Sequence, residues 1–264
     1  MTASVLLASA GAIAVLMLLT WGVSLVMRDA SIVDIIWGAG FVVVAVVAAI
    51  VGDGYDDRRY LLLGLVAVWG TRLSSYLAWR NLGHGEDYRY QAMRKKHGDR
   101  FWLISLFQVF LLQGVLMWVV SLPVQLSASA EEPDSLGVLA LLGVVLWTVG
   151  ILFEGIGDAQ LAAFKAKDEN KGKVMDRGLW RFTRHPNYFG DFCVWWGIFL
   201  VAAETVPGRF GIVGPLVMSF LLIRVSGVAM LEKTIGKRRP GYAEYIARTS
   251  AFFPRPPKRL PTDA

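Results

Sequence analysis

The sequence has little cysteine, little histidine and little charge, and each shortage excludes a class of protein. Cys193 is the single cysteine among 264 residues, so no disulfide can form within the chain. The three histidines, His84, His97 and His185, are far apart, and no Cys/His cluster has the spacing of a zinc site. We therefore predict no metal site.

Apolar residues are the abundant class, and they make up 55% of the chain against 18% for charged residues. They come in long uninterrupted blocks, which is unusual for a soluble domain of this length. No Gly-x-Gly-x-x-Gly motif follows a strand pattern, so a Rossmann domain is not expected. The composition predicts an all-α integral membrane protein.

The apolar blocks predict seven transmembrane helices, because each block is long enough to cross a hydrocarbon core of roughly 30 Å. The predicted spans are residues 4–27, 32–51, 60–79, 101–122, 137–157, 187–204 and 210–231. We treat residues 1–264 as one membrane domain with a substrate-cavity half (1–122), a cofactor-binding half (137–254) and a mobile tail (255–264).

The charges of the loops predict the orientation. Lys and Arg outnumber acidic residues in loops 80–100 and 159–186 and in the tail 232–264, whereas loop 123–136 has acidic residues and no Lys or Arg. The positive-inside rule then places the N-terminus outside and the C-terminus in the cytoplasm. The net charge of +6 is explained by topology and anionic lipids rather than by nucleic acid. A bacterial inner membrane, with a site open to the cytoplasm, is the expected location.

Polar residues inside the predicted spans need a reason to be there. A charge at the centre of a span costs roughly 2.5–3.5 kcal/mol on insertion scales, so Asp34 and Arg72 need partners or water. They either form a structural ion pair or belong to a polar pocket that opens to the cytoplasm. Gln113, in the fourth span, suits a bond to a neighbouring helix as well as it suits a contact with a ligand.

Two carboxylates, Glu154 and Asp158, are four residues apart and therefore share one helix face. Like charges at this spacing disfavour a helix, so we expect a compensating group. Lys165, Arg181 or a hydrogen-bond-donating ligand could supply it. For Asp158, a solvated helix end is the simpler alternative.

The stretch Arg181–Asp191 is the densest run of chemically capable side chains. Pro186 disfavours helical geometry at His185, so a helix should begin near Pro186 and Asn187. Free amide groups at a helix start favour an anion such as phosphate, and the arginines before it add positive charge. The alternative is a positively charged anchor beside a span.

Two further clusters accompany this stretch. The segment from Gly85 to Tyr90 contains two acids, an arginine and two phenols, which suits a headgroup-level belt or the wall of a site. In the tail, Tyr242, Tyr245 and Arg248 fall on adjacent faces of a short amphipathic helix, which could simply rest on the membrane surface.

Several short motifs extend over nearly the whole chain, and Phe253-Pro follows the last of them. They are Asp34-x-x-Trp-Gly, Gly85-Glu-Asp-x-Arg-Tyr, Phe110-Leu-Leu-Gln-Gly, Arg184-His-Pro-Asn-Tyr-Phe-Gly and Arg239-Pro-Gly-Tyr-x-Glu-Tyr. Together they resemble a bacterial membrane family related to the steroid 5α-reductases. The resemblance is strongest from the fifth span onward, where those reductases carry an Asn-Tyr-Phe-Gly-acid motif matched here from Asn187 to Asp191.

The resemblance implies an NADPH-dependent reductase of an enone lipid such as a 3-oxo-Δ4 steroid, with membrane lipids as its surroundings and no obligate protein partner. We predict substrate contacts at Trp37, Trp69 and Gln113. The predicted cofactor contacts are Arg72, Asn81, Glu154, Asp158, Lys165, Arg181, His185, Asn187, Tyr188, Asp191, Glu232, Tyr242, Tyr245 and Arg248.

The proton donor of the related enzymes is a tyrosine on the third span, and this chain has Trp69 near that position. Asp34 and the segment Glu86–Tyr90 are the titratable groups at the required depth. A carboxyl in an apolar pocket can remain protonated and donate, or it can orient a phenol. We therefore predict that Asp34, Tyr88 and Tyr90 are the catalytic candidates. The alternative is that Asp34 only neutralises Arg72.

The run Arg-His-Pro-x-Tyr-x-Gly is also similar to membrane methyltransferases of the isoprenylcysteine and phospholipid type. That resemblance implies S-adenosylmethionine as the cofactor, which carries no phosphate. The three basic regions favour the reductase, because NADPH carries several phosphate charges. A lipid-binding protein without activity is a third alternative, but it leaves the cluster from Asn187 to Asp191 unexplained.

Overall fold

The computed structural model describes residues 1–225, 228 and 241–259, and these are almost entirely helical. No strand occurs within those ranges, although Thr183 and Ser250 form an isolated parallel bridge. The helices are α1 (Thr2–Met27), α2 (Ile32–Val51), α3 (Asp56–Asn81), α4 (Tyr88–His97), α5 (101–120), α6 (Leu122–Ser127), α7 (Val138–Lys165), α8 (Pro186–Ala202), α9 (Val206–Val225) and α10 (Tyr242–Arg248).

Within the described part of the chain, six helical segments are long and apolar enough to cross a membrane. They are Thr2–Met27, Ile32–Val51, Asp56–Asn81, Tyr88–Val120, Val138–Lys165 and Val206–Val225. The prediction of a helical membrane protein is therefore confirmed. The predicted sixth span corresponds to α8, whose 17 residues lie at the lower limit for crossing, so the count of seven stays a prediction.

The predicted loops are shorter than expected because helices continue beyond the apolar blocks. Loop 80–100 contains α4, which Gly98 separates from α5 at a φ of +52°. Loop 159–186 begins with the last turns of α7, which ends at Lys165. Ala, Gln, Lys and Arg are good helix formers, so the loss of hydrophobicity does not end these helices.

The chain divides into two compact units. The first contains Met1–Leu141 and Ile198–Gly214, and the second contains Leu142–Gly197 and Pro215–Ala264. The predicted halves, 1–122 and 137–254, differ from these units chiefly in residues 198–214, which group with the first unit.

In the first unit, α2 and α3 approach closely at Gly38 and Gly70. A Cβ atom at Gly38 would lie 2.3 Å from the carbonyl oxygen of Gly70, and one at Gly70 would lie 2.5 Å from that of Gly38. One turn along α3, the Ser74 hydroxyl accepts a hydrogen bond of 2.8 Å from the Ala39 amide. This crossing determines how the start of α2, with Asp34, is placed.

A buried charged pair joins distant segments of the first unit. The Arg58 guanidinium donates to the carbonyl oxygens of Ala130 and Ser135, and its Nε lies 3.9 Å from Oε2 of Glu204. Oε1 of Glu204 accepts from the amides of Gly137 and Ala140 at the start of α7. The sequence analysis did not identify this pair, because Arg58 lies in an apparently polar loop.

In the second unit, glycines at intervals of seven residues bring α7 and α8 together. A Cβ atom at Gly150 would lie 2.6 Å from the carbonyl oxygen of Gly190, and one at Gly197 would lie 2.6 Å from that of Gly143. A Cβ at Gly157 would lie 3.3 Å from the Asn187 amide nitrogen. Small residues that allow such approach are typical of membrane helix interfaces.

The described end of the chain folds back onto the second unit. The Arg184 amide donates to Ser250 O, and the Arg255 amide donates to Phe182 O, at 2.9 Å each. Phe252 and its neighbour Phe253 contact the aromatic rings of α8 edge-to-face. The mobile tail predicted for residues 255–264 stays a prediction, and residues 260–264 lie outside the described residues.

The close contact of α7 and α8 gives a stability prediction. Gly150→Ala should lower stability by about 1–3 kcal/mol, because the new methyl group meets backbone atoms that cannot move aside. Thermal unfolding of detergent-purified protein measures the loss. Gly64→Ala is the matched control, because its Cβ would meet nothing within 4 Å and alanine favours a helix. An equal effect of both substitutions would contradict this interpretation of the interface.

Candidate functional site

A buried phenol, a carboxylate, a guanidinium and an amide meet in the first unit. The Tyr90 hydroxyl donates to Oδ1 of Asp34 at 2.8 Å, and Nη2 of Arg89 donates to Oδ2 at 2.5 Å. Nε2 of Gln113, on α5, donates to the Tyr90 hydroxyl oxygen at 3.3 Å. Asp34, Tyr90 and Gln113, which the sequence analysis predicted from three separate segments, therefore belong to one cluster.

The start of α4 places Arg89 and Tyr90 in this cluster. Asp87 is the N-cap of α4, and its carboxylate accepts from the Arg89 amide at 2.9 Å and from Arg89 Nε at 2.8 Å. Burial alone would raise the pKa of Asp87, but the hydrogen bonds and charge of Arg89 lower it below its ordinary value. The carboxylates of Asp87 and Asp34 hold Arg89 from two sides.

A second ion pair attaches the same segment to the turn before α2. Glu86 accepts from the Ala30 amide at 2.9 Å and forms two hydrogen bonds with Arg94 at 2.8 and 3.0 Å. Burial would raise the pKa of Glu86, but these hydrogen bonds lower it overall. The acids of this segment therefore hold α4 in place.

The alternative in which Asp34 pairs with Arg72 is not the arrangement in the structure. Asp34 forms its ion pair with Arg89, because α4 folds over the start of α2, and the guanidinium of Arg72 lies 5.7 Å from the centre of the Tyr76 ring. The two candidate phenols also differ, since the Tyr90 side chain is buried and Tyr88 is 52% exposed. The geometry therefore favours Tyr90.

The remaining predicted residues of the first unit lie outside the cluster. Trp69 is fully buried, and its ring and that of Trp37 both pack edge-to-face against Phe41. Trp69 is thus a core residue in this arrangement, without an accessible surface for a substrate. Asn81, at the end of α3, accepts a hydrogen bond from Arg80.

The second unit has its own buried polar cluster on α7 and α8. Glu154 and Asp158, one turn apart on α7, are both buried. Nδ2 of Asn187 donates to Oδ1 of Asp158 at 3.2 Å. As predicted, α8 begins at Pro186, and the close approach at Gly157 brings Asn187 to this carboxylate. Asp158 lies two turns before the end of α7, so the solvated helix end is excluded.

His185 and Tyr188 extend this cluster along the start of α8. Their rings are parallel within 2°, with centroids 5.4 Å apart, and His185 is buried. The His185 amide donates to the Thr183 hydroxyl at 3.3 Å, and this hydroxyl donates to Phe252 O at 2.7 Å. Asp191 lies one turn after Asn187 on α8 and is half-buried.

Arg184 and the predicted cofactor contact Tyr245 both form hydrogen bonds to backbone carbonyl oxygens of the second unit. Arg184 donates to the carbonyl oxygens of Ile246 and Thr249 at the end of α10. The Tyr245 hydroxyl donates to Trp180 O, and burial raises the pKa of Tyr245. Tyr245 therefore has no free hydroxyl for a cofactor in this arrangement. Tyr242 is also buried, with its ring 5.8 Å from that of Tyr245.

An open groove of about 560 Å³ lies between loop 171–176 and residues 241–248, which include α10. Arg248 lines it and forms an ion pair with Asp176 across it. Lys165 and Arg181, predicted near phosphates, are exposed and do not line this groove. Glu232, the remaining predicted cofactor contact, lies outside the described residues.

No group of three or more His, Cys, Asp or Glu side chains that could hold a metal ion was found among residues 1–225, 228 and 241–259. Cys193 is buried on α8.

Arg89 and Asp87 lie in the predicted segment Glu86–Tyr90, but neither was singled out from the sequence as a member of the first cluster. The signal was present, because an Asp one residue before a helix and two residues before an Arg is suited to cap the helix and to hold the guanidinium. The glycines of α7 were also not singled out, although their spacing of seven residues is visible in the sequence.

Comparison with known proteins gives a family and two relatives. The family model described as Protein of unknown function (DUF1295) matches residues 20–249. The chain is similar to uncharacterized protein C594.04c of Schizosaccharomyces pombe, with 24% identity over 89% of this chain and 75% of the other. It is also similar to the cobalt-zinc-cadmium resistance protein CzcN of Cupriavidus metallidurans, with 29% identity over 44% of this chain and 48% of the other. No solved structure gives a significant match.

Proposed function

The chain belongs to the family described as Protein of unknown function (DUF1295), and we propose that it is an NADPH-dependent reductase of an enone lipid. A 3-oxo-Δ4 steroid is the expected representative substrate, and the resemblance to steroid 5α-reductases supports this choice. The observation that carries the proposal is the buried Tyr90 hydroxyl, held between Asp34 and Gln113.

Reduction of an enone needs a hydrogen-bond donor at the carbonyl oxygen. Negative charge develops there when the β-carbon of the double bond gains a hydride, and a preorganised donor stabilises that charge. Tyr90 supplies an O–H donor, and the side-chain amide of Gln113 supplies a second donor, an N–H group, beside it. The α-carbon then takes up a proton from water, which completes the saturated ketone.

Asp34 acts in this proposal through Tyr90. Its ion pair with Arg89 requires an ionised carboxylate, which accepts hydrogen bonds and cannot donate one. Asp34 therefore orients the phenol in its ground state. When the Tyr90 hydroxyl turns to a substrate oxygen, Arg89 remains to balance the charge of Asp34. We therefore propose that Asp34 is an orienter of Tyr90 and not itself the donor.

The residue types of the second unit suit NADPH, which would supply the hydride. Lys171, Lys173 and Arg248 line one groove and can bind phosphate oxygens. Asn187 offers an amide for a polar group of the nucleotide, and Asp158 fixes its orientation. The stacked pair of His185 and Tyr188 presents aromatic surface beside them.

The methyltransferase alternative is favoured by one observation. Glu154 and Asp158 are two buried carboxylates one turn apart, and carboxylates suit the sulfonium and ammonium groups of S-adenosylmethionine. Calorimetry with detergent-purified protein separates the two, with NADPH and S-adenosylmethionine titrated in turn. Binding of S-adenosylmethionine alone would contradict the reductase.

We also propose seven spans, with α8 as the sixth, and a cytoplasmic location for the three basic regions. A cysteine at position 131, in a Cys193→Ala background, should react with an impermeant maleimide in intact cells, because loop 123–136 is then outside. A cysteine at position 171 should react only after lysis. The reverse pattern would contradict this orientation.

The catalytic assignment gives a direct prediction. Tyr90→Phe should lower the rate of NADPH oxidation with a 3-oxo-Δ4 steroid by about 100- to 1,000-fold, as expected for loss of one donor at a developing oxyanion. Binding of NADPH should be unchanged. Tyr60→Phe, at an exposed tyrosine of α3, is the matched control. A full rate in Tyr90→Phe, or a comparable loss in Tyr88→Phe alone, would contradict the assignment.

A further inference from the structure

We propose that the groove of the second unit is a phosphate-monoester site in which Asp176 and the ligand compete for Arg248. The ligand class is a dinucleotide with a phosphate monoester on the 2′-hydroxyl of a ribose, and the proposed function makes this the 2′-phosphate of NADPH. The proposal deepens the proposed function, because it names the group that distinguishes NADPH from NADH and a residue that controls its affinity.

The shape of the groove suits a ligand of nucleotide size. One wall is loop 171–176 and the other is 241–248, with about 560 Å³ between them. Tyr245 forms part of the lining, and its position is fixed because its hydroxyl donates to Trp180 O. Both walls of the groove therefore carry charged side chains, and the wall formed by 241–248 is attached to Trp180 through Tyr245.

Arg248 is the best-placed cation of the groove. Its Nη2 donates to Oδ2 of Asp176, and its Nη1 lies 3.8 Å from Oε1 of Glu244. The side chains of Arg248 and Asp176 are 33% and 34% exposed, so the pair is accessible to a ligand. A guanidinium binds phosphate with two parallel hydrogen bonds, and a phosphate monoester carries more charge than a carboxylate.

Two lysines add charge on the opposite wall. Lys171 and Lys173 line the groove. The ion pair of Lys171 with Asp168 is 2.7 Å long but almost fully exposed, and such pairs contribute little. Lys171 can therefore turn toward a phosphate at small cost. The groove is lined by the cations Lys171, Lys173 and Arg248 and by the carboxylates of Asp176 and Glu244. Its net charge is therefore positive, which favours an anionic ligand.

Asp176 is the residue that distinguishes this groove from a simple basic patch. Its carboxylate accepts a hydrogen bond from the Arg248 guanidinium, where a phosphate would bind. The same hydrogen bond joins loop 171–176 to α10. A ligand phosphate must replace this carboxylate, so Asp176 lowers the affinity for phosphate. Removal of its charge should thus strengthen binding, which is a result that damage to the fold would not produce.

The test is calorimetry of the full-length protein in phosphatidylcholine nanodiscs, with NADP⁺ and NAD⁺ as probes, because the two differ only in the 2′-phosphate monoester. Asp176→Asn should bind NADP⁺ about three- to tenfold more tightly than the parent, the scale of one exposed charge pair. Its affinity for NAD⁺ should change less than twofold. Arg248→Gln should lose tenfold or more for NADP⁺.

Glu169→Gln and Arg255→Gln are the matched controls, because both residues are exposed and neither lines the groove. They should leave both affinities unchanged. Equal or weaker binding of NADP⁺ by Asp176→Asn overturns the proposal. So does an equal gain for NAD⁺, because the site would then not recognise the 2′-phosphate.

Lipid headgroups also carry phosphate, and a second set of discs with phosphatidylglycerol separates the sources. If these discs abolish the difference between Asp176→Asn and the parent, the groove binds headgroups and the nucleotide assignment is overturned. The reductase is judged separately. If the protein reduces the steroid but Asp176→Asn binds the dinucleotide no more tightly than the parent, only this inference is refuted. If the affinities change as predicted but no steroid is reduced, only the proposed reaction is refuted.

Discussion

No water reaches the apolar interior of a membrane, so a polar side chain there must find its partner within the protein. The first unit satisfies this constraint with Asp34, whose carboxylate accepts hydrogen bonds from Arg89 and Tyr90. Asp87 and Glu86 then fix the segment that delivers those donors. The position of α4, and with it the orientation of the buried phenol, depends on these charge pairs.

The second unit satisfies the same constraint by close backbone approach. Gly150 and Gly157 on α7 leave no side chain between the helices, so the start of α8 reaches the buried Asp158. A larger residue at either position would separate the Asn187 amide from its carboxylate. In this unit the hydrogen bond between Asn187 and Asp158 therefore depends on the close packing of α7 and α8 at the glycines.

The sequence was sufficient for the helices and for part of each cluster. Span 32–51 coincides with α2, and Pro186 begins α8, because apolar length and proline geometry are local properties. The partner of Asp34 was not predictable in this way. Arg72 and Arg89 are both arginines in segments that follow α2, and the sequence does not show which of them contacts Asp34. Arg89 forms the ion pair because α4 folds over the start of α2. The hydrogen bond of the Tyr245 hydroxyl was likewise not predictable, because its acceptor is the carbonyl oxygen of Trp180, which is distant in sequence.

The central claim is that Asp34 acts through Tyr90, and a double-mutant cycle tests it most directly. Turnover of a 3-oxo-Δ4 steroid with NADPH would be measured for Asp34→Asn, Tyr90→Phe and the double variant, with NADPH affinity as the check on folding. The account predicts that the double variant is no slower than Tyr90→Phe alone, because without the hydroxyl the carboxylate has nothing to orient. Losses that multiply would show that Asp34 and Tyr90 act independently, and they would contradict the account.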